Sequence, residues 1–253
     1  MFKSLIIAFA TYSRIPMPIF EWKEKDMKYV LVFFPFIGAV IGALVFLWNY
    51  VCNINNINLL TKVCIKTAIP ILITGGFHID GFMDTMDAFK SYQSKEKKLE
   101  ILKDAHIGAF SVIMLMLYGL IYIAALGEIT DEKDVIILGT GFILSRALSG
   151  ISAVTFPYAK KEGSLNFVAD SASKRNVRIT LIIESILCIV AMIIINPVNG
   201  TVAAVSMLLA FVYYYKKASK EFGGITGDTA GYFVVLSECV LAVALVLVRF
   251  LYH

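Results

Sequence analysis

Seven long apolar runs constrain this chain more than any other feature. They lie near residues 29–52, 59–77, 108–127, 135–157, 177–196, 197–215 and 229–251. A bilayer's hydrocarbon core is about 30 Å thick and is crossed by ~20 apolar residues in a helix. In hydrocarbon each backbone N–H and C=O must be paired within the protein, and continuous apolar runs of this length satisfy that only as helices. The composition agrees: 58% of residues are hydrophobic and 17% charged, against ~45–50% and ~25% in ordinary globular domains. The expected fold is all-α, a polytopic membrane protein of about seven transmembrane helices. It forms a single integral-membrane domain over 1–253, with 1–28 as a juxtamembrane segment whose Pro16 and Pro18 interrupt any helix.

The basic residues set the expected topology. Lys3, Arg14, Lys23, Lys25 and Lys28 precede the first span. Lys90, Lys95, Lys97, Lys98 and Lys103 follow the second; Lys160, Lys161, Lys174, Arg175 and Arg178 follow the fourth; Lys216, Lys217 and Lys220 follow the sixth. With seven spans all four groups fall on one side, leaving only Lys133 and Arg249 opposite. The positive-inside rule then places the N-terminus in the cytoplasm and the C-terminus outside. Lys62 and Lys66, early in the second span, are expected to snorkel to the far interface. Asn196-Pro197-Val198-Asn199-Gly200 separates the fifth and sixth spans as a turn. The net charge of +4 fits loops facing anionic lipid, so no nucleic-acid partner is invoked. The four scattered cysteines have no metal-ligand spacing and are read as reduced and structural.

Against this apolar background one stretch gathers acid. Gly75-Gly-Phe-His-Ile-Asp-Gly-Phe-Met-Asp-Thr-Met-Asp87 spaces Asp80, Asp84 and Asp87 at i, i+4 and i+7, one face of a helix. Three carboxylates on one face repel one another unless a cation sits between them. Hard divalent ions such as Mg²⁺ take such oxygen ligands, retain waters and bind together with substrate phosphates. Gly75, Gly76 and Gly81 are expected to allow a ligand close to the backbone. Residues 78–107 thus form a candidate active-site loop where the second span meets the surface. Asp104, at the entry to the third span, is either a further ligand or a helix-dipole complement.

Other candidates flank it. Arg146, inside the fourth span, needs a partner or a wet cavity; it is either ion-paired, with Glu184 or Glu238, or a substrate-phosphate contact. Lys160 and Lys161 offer two further cations. Gly223, Gly224 and Thr226, in the glycine-dense loop before the last span, can present backbone N–H groups to phosphate. Asp228 is a last metal ligand, the N-cap of that span, or both.

Taken in order, these motifs resemble the cobalamin synthase family (cobalamin-5′-phosphate synthase, adenosylcobinamide-GDP ribazoletransferase). The resemblance runs through Thr11-Tyr-Ser-Arg-Ile-Pro-Met-Pro18, Gly75–Asp87, Lys103-Asp-Ala-His-Ile-Gly108, Ser145-Arg146, Pro157-Tyr-Ala-Lys-Lys-Glu-Gly163 and Phe222-Gly-Gly-Ile-Thr-Gly-Asp228. Ala88, His106 and Ser164 depart from the family's usual pattern. The resemblance implies a Mg²⁺-dependent enzyme of the prokaryotic cytoplasmic (inner) membrane, its active site facing the cytoplasm. It would join adenosylcobinamide-GDP to α-ribazole or α-ribazole 5′-phosphate, releasing GMP. On that reading Asp80, Asp84, Asp87 and Asp104, with Asp228, hold metal. Asp87 is the expected general base, with His78 and His106 as alternatives. The bilayer is a partner, and association with other cobalamin-assembly enzymes or with itself is compatible with it. The alternatives are a lipid enzyme of the CDP-alcohol phosphotransferase kind and a transporter, which would place its essential charges at mid-membrane.

Overall fold

The computed structural model describes residues 1–160 and 163–251. Among these no strand forms, and nearly all regular structure is helical. After α1 (Phe2–Tyr12), the short α2 (Glu24–Met27) and a 3₁₀ turn (Val30–Phe33), the long helices follow in order. They are α3 (Phe34–Ile54), α4 (Leu59–Thr74), α7 (Ala109–Glu128), α8 (Glu132–Thr155), α10 (Lys174–Ile195), α11 (Pro197–Phe222) and α12 (Gly227–Leu251). The connections hold α5 (Phe77–Lys90), α6 (Lys95–Ile101) and α9 (Ser164–Ser171). Each apolar run is one long helix. Six are long and apolar enough to cross a membrane unaided; α4 reaches that standard only together with α5, which turns 94° away from it.

Local chemistry explains the breaks. Asn196 caps α11 by accepting from the N–H groups of Val198 and Asn199, both at 3.1 Å, and Pro197 starts the helix at a position needing no N–H partner. Asp131 likewise caps α8, accepting from Lys133 N at 2.9 Å. Between Tyr12 and Glu24 the chain carries Pro16 and Pro18 and is not helical.

The core is built on α8, buried on nearly every side and packed on α3, α10 and α12. Gly38 and Gly42 permit the closest of these contacts. A Cβ on Gly38 would lie 2.1 Å from the Phe142 carbonyl oxygen, and one on Gly42 would lie 2.7 Å from that of Gly139. This is the small-residue packing expected of helices in lipid. Within this core Arg146 and Glu238 form a 2.8 Å ion pair, the two side chains 1% and 6% exposed. Glu238, not Glu184, is therefore the arginine's partner.

The two bundle ends differ in charge. At one, Lys62 reaches Asn53 at 2.7 Å, Lys66 reaches the Ile129 carbonyl at 3.2 Å and Asp134 accepts from Asn199 at 2.7 Å. The two lysines of α4 are buried and hydrogen-bonded within the protein at this end. The other end collects the basic connections. Ser173 N donates to Lys28 O at 3.1 Å, Arg14 N to Ile73 O at 2.8 Å and Ala159 N to Ile225 O at 2.9 Å, while Lys98 pairs with Glu221.

Candidate active site

The acidic motif lies at this basic end because two glycines turn the chain into it. Gly75 (φ +66°) and Gly76 (φ +82°) are both left-handed, a conformation glycine adopts without the Cβ penalty. They end α4 and start α5. The helix then divides by its period: His78, Gly81, Phe82, Thr85 and Ala88 are buried, whereas Asp80 is exposed and Asp84 and Asp87 are half-buried. The i, i+4, i+7 face is real. The glycine reading needs correction at Gly81, which is approached by the chain's own backbone, and at Gly75, which is approached by the Arg14 side chain, whereas Gly76 faces open space. A Cβ on Gly81 would stand 2.8 Å from the Asp228 carbonyl oxygen, and one on Gly75 would stand 2.3 Å from Arg14 Nε.

That contact brings Asp228 to the α5 carboxylates. Asp228 is not the N-cap of α12. Thr226 is: its Oγ1 accepts from Thr229 N at 3.2 Å, while Thr226 N donates to Thr229 Oγ1 at 2.8 Å. The same Thr226 hydroxyl donates to Asp228 Oδ2 at 3.4 Å, and both residues line the cavity that holds Lys103 and Lys160. The neighbouring glycines also serve the fold. Gly223 (φ +81°) closes α11, and a Cβ on Gly224 would lie 2.5 Å from the Pro157 carbonyl oxygen. The short parallel pairing of Tyr158 with Ile225 then sets Lys160 near Asp228. Burial lowers the Lys160 pKa, Asp228 works against that shift, and Lys103 adds to it.

The carboxylates repel one another. Burial first, then Asp80, Asp228 and Asp87, raise the Asp84 carboxyl from 3.8 to about 6. Asp87 reaches across to the loop before α7, and a Cβ on Gly108 would fall 2.0 Å from its Oδ1. Among the described residues no three His, Cys, Asp or Glu side chains close on one point as a ready-made metal cage. The donors present are all oxygen, the kind Mg²⁺ takes together with water and phosphate.

Two cationic cavities flank the acidic face. Arg14 shares one with Asp80 and the Gly75–Gly76 turn. Lys103 and Lys160 share the other with Thr226 and Asp228. None of the ion pairs among the described residues includes these three cations. Sequence reasoning left Arg14 and Lys103 out of the site, although both stand in quoted motifs; their side orientation looked sufficient to explain them. Three other expectations fall elsewhere. Asp104 is exposed and turned to His106, whose Nδ1 lies 2.7 Å from Oδ1, a contact that lowers its pKa. Arg146 is sealed against Glu238 inside the bundle. Lys161 lies outside the described residues.

A family model described as cobalamin-5-phosphate synthase matches residues 4–246. The chain belongs to that family. An adenosylcobinamide-GDP ribazoletransferase of Lachnoclostridium phytofermentans is 43% identical over 96% of this chain and 93% of its own length. Proteins of the same name from Clostridium botulinum and Clostridium perfringens are 35% and 33% identical, over 95% and 94% of both chains. No solved structure matches. For a member of the cobalamin-5-phosphate synthase family, the arrangement is informative. Segments around Arg14, Asp80–Asp87, Lys103–Gly108, Lys160 and Thr226–Asp228 are far apart in sequence and meet at one bundle end, whereas the Ser145-Arg146 pair lies in its interior.

Proposed function

We propose that this protein joins adenosylcobinamide-GDP to α-ribazole or α-ribazole 5′-phosphate at the cytoplasmic face of a prokaryotic inner membrane, releasing GMP, and that it needs Mg²⁺. One observation carries the reading. Asp80, Asp84, Asp87 and Asp228 are gathered at the basic end, where burial and the neighbouring carboxylates raise the Asp84 pKa, between cavities lined by Arg14, Lys103 and Lys160, which enter no ion pair among the described residues. Family membership supplies the substrates, and the side chosen follows from the basic loops.

In this scheme a ribose hydroxyl attacks the phosphorus attached to the corrinoid side arm. A P–O bond forms there, the diphosphate P–O bond breaks, and GMP leaves with the bridging oxygen. The four carboxylates would hold Mg²⁺, which when bound supplies charge neutralisation on the phosphates and the leaving group. Asp87 accepts the hydroxyl proton; it extends furthest toward the loop before α7. Arg14 and the Lys103–Lys160 pair bind phosphate oxygens from opposite sides, holding donor and acceptor together so that the in-line geometry is not left to encounter. Glu238 neutralises Arg146, so that pair serves the core and not a transport pathway. The turn at Gly75–Gly76 and the Gly81 contact fix α5 against α12, which keeps Asp228 in register with Asp80 and Asp84.

The test is GMP release by the purified protein from adenosylcobinamide-GDP and α-ribazole, with Mg²⁺ and then with excess chelator. Metal-dependent release with formation of the joined corrinoid is the expected result. No release from folded protein in either condition would remove the proposal.

A further inference from the structure

One buried polar residue at the basic end has no part in the scheme above. Asn166 stands in the first turn of α9 and is 7% exposed, in the wall of the cavity that holds Lys103, Lys160, Thr226 and Asp228. Propensity does not explain it, since an Asn side chain competes with the helix for backbone groups. Burial does not explain it either, because a buried amide costs free energy unless it is hydrogen-bonded. Two and three residues on, α9 buries the apolar Val168 and Ala169, 6% and 0% exposed. The Asn166 amide instead reaches back to the loop before its own helix, where Nδ2 donates to the Lys160 carbonyl at 2.7 Å. The chain leading to Lys160 is held from the other direction. Tyr158 Oη donates to Ala153 O at 2.7 Å, and Ala159 N to Ile225 O and Ile225 N to Pro157 O, both at 2.9 Å. Those bonds fix the loop as far as Ala159, and the Asn166 bond fixes the next peptide. The cavity measures about 230 Å³. That is below the ~300–1,000 Å³ of pockets that take a whole small molecule, and it suits the phosphate end of a larger one.

We infer that Asn166 is a positioning residue for Lys160: by clamping the Lys160 carbonyl it sets the direction in which the ammonium meets a substrate phosphate. A lysine is a point charge on a flexible four-carbon stem. With its backbone also free, phosphate binding has to immobilise both stem and loop; with the loop already held, it immobilises the stem alone, and affinity gains by the difference. Lys160 is half-buried and Lys103 exposed, so of the two cations Lys160 depends more on where its backbone is held. Asn166 acts on binding and not on the reacting atoms. Its loss therefore appears as a rise in KM with kcat unchanged, the mark of interactions made equally in the ground and transition states. This assignment rests on the function proposed above and adds to it the residue that shapes the second cationic cavity.

The experiment is a double-mutant cycle on initial rates of GMP release in lipid nanodiscs, with adenosylcobinamide-GDP varied at saturating α-ribazole, Mg²⁺ present and ionic strength constant. The proteins are the wild type, Asn166→Leu, Asn166→Ala, Lys160→Ala and the Asn166→Leu, Lys160→Ala double variant. Leu keeps the branched bulk of Asn in the buried wall and Ala removes it, so what the two share is the missing donor. The inference expects both Asn166 variants to raise KM for adenosylcobinamide-GDP about fivefold with kcat within about twofold of the wild type. In the double variant KM should stay within about twofold of that of Lys160→Ala alone, because no ammonium is left to position. KM unchanged in both Asn166 variants, with or without a fall in kcat, would overturn the inference and leave Asn166 a part of the fold only. Effects on KM that multiply in the double variant would also overturn it, since Asn166 would then act apart from Lys160. Either result, with the wild type still releasing GMP, spares the reading on which the inference rests. A wild type that releases no GMP would overturn both.

Discussion

Replacing Asp84 by Asn should make the metal-free protein more stable and inactive at once. Asp84 is half-buried and lies within reach of Asp80, Asp87 and Asp228, and its carboxyl is raised from 3.8 to about 6. The sign follows from proton linkage. Between pH 4 and 6 the folded protein holds a proton that the unfolded chain has released, so stability falls as pH rises through that window. Above it the ionised carboxylate is a fixed penalty. About two units at ~1.4 kcal/mol each give roughly 3 kcal/mol, which screening at a partly exposed site reduces to about 1 kcal/mol. Asn keeps the shape and removes the charge. At pH 7.5, without divalent metal, Asp84→Asn should therefore melt ~2–4 °C above the wild type, and the difference should vanish near pH 4. Added Mg²⁺ should raise the wild-type midpoint and leave that of the variant in place. GMP release should fall roughly 100-fold or more, the scale for losing one electrostatic stabiliser. Thermal unfolding in detergent with and without Mg²⁺, across pH, reads all of these quantities. A variant less stable than the wild type at pH 7.5 without metal would refute the account of the acidic face. Full retained turnover would refute its role.

Gly108→Ala forces only a flexible carboxylate to move, since its Cβ would fall 2.0 Å from Asp87 Oδ1; the melting point should hold while GMP release falls about tenfold. Gly81→Ala meets backbone at 2.8 Å instead, so both readouts should drop, with ~1–3 kcal/mol of stability lost to overpacking. Arg146→Ala strands Glu238 and should cost ~3–5 kcal/mol, most of it recovered in the Arg146→Met, Glu238→Leu double variant; GMP release by the folded double variant would show that Arg146 holds the core and not the substrate. Lys160→Ala should raise KM for adenosylcobinamide-GDP several-fold with kcat little changed, measured from initial rates at constant ionic strength.

What could be read in the sequence was whatever repeats within one element. Seven apolar runs became seven long helices because length and the absence of water at their backbones leave one conformation. The period of the helix carried Asp80, Asp84 and Asp87 onto one face, and Asn196-Pro197 gave its own turn. What could not be read depends on contacts between distant segments. Gly81 is needed for the backbone of α12, more than a hundred residues away, and Gly224 for the strand-like segment at Pro157; from the sequence both looked like room for a ligand. Asp228 looked like the N-cap of the last span, but the Thr226–Thr229 hydrogen bonds show that the helix is capped two residues earlier. Asp104 has the right charge and the right neighbourhood, and a local turn with His106 takes it instead. Arg14 and Lys103 carried the opposite error: one explanation, charge facing lipid and cytosol, was enough to account for them and concealed a second. A basic residue at a membrane surface satisfies the topology wherever it stands on that side. Only packing separates those that also face a cavity with an aspartate in it, and here that distinction picks three cations out of the loops.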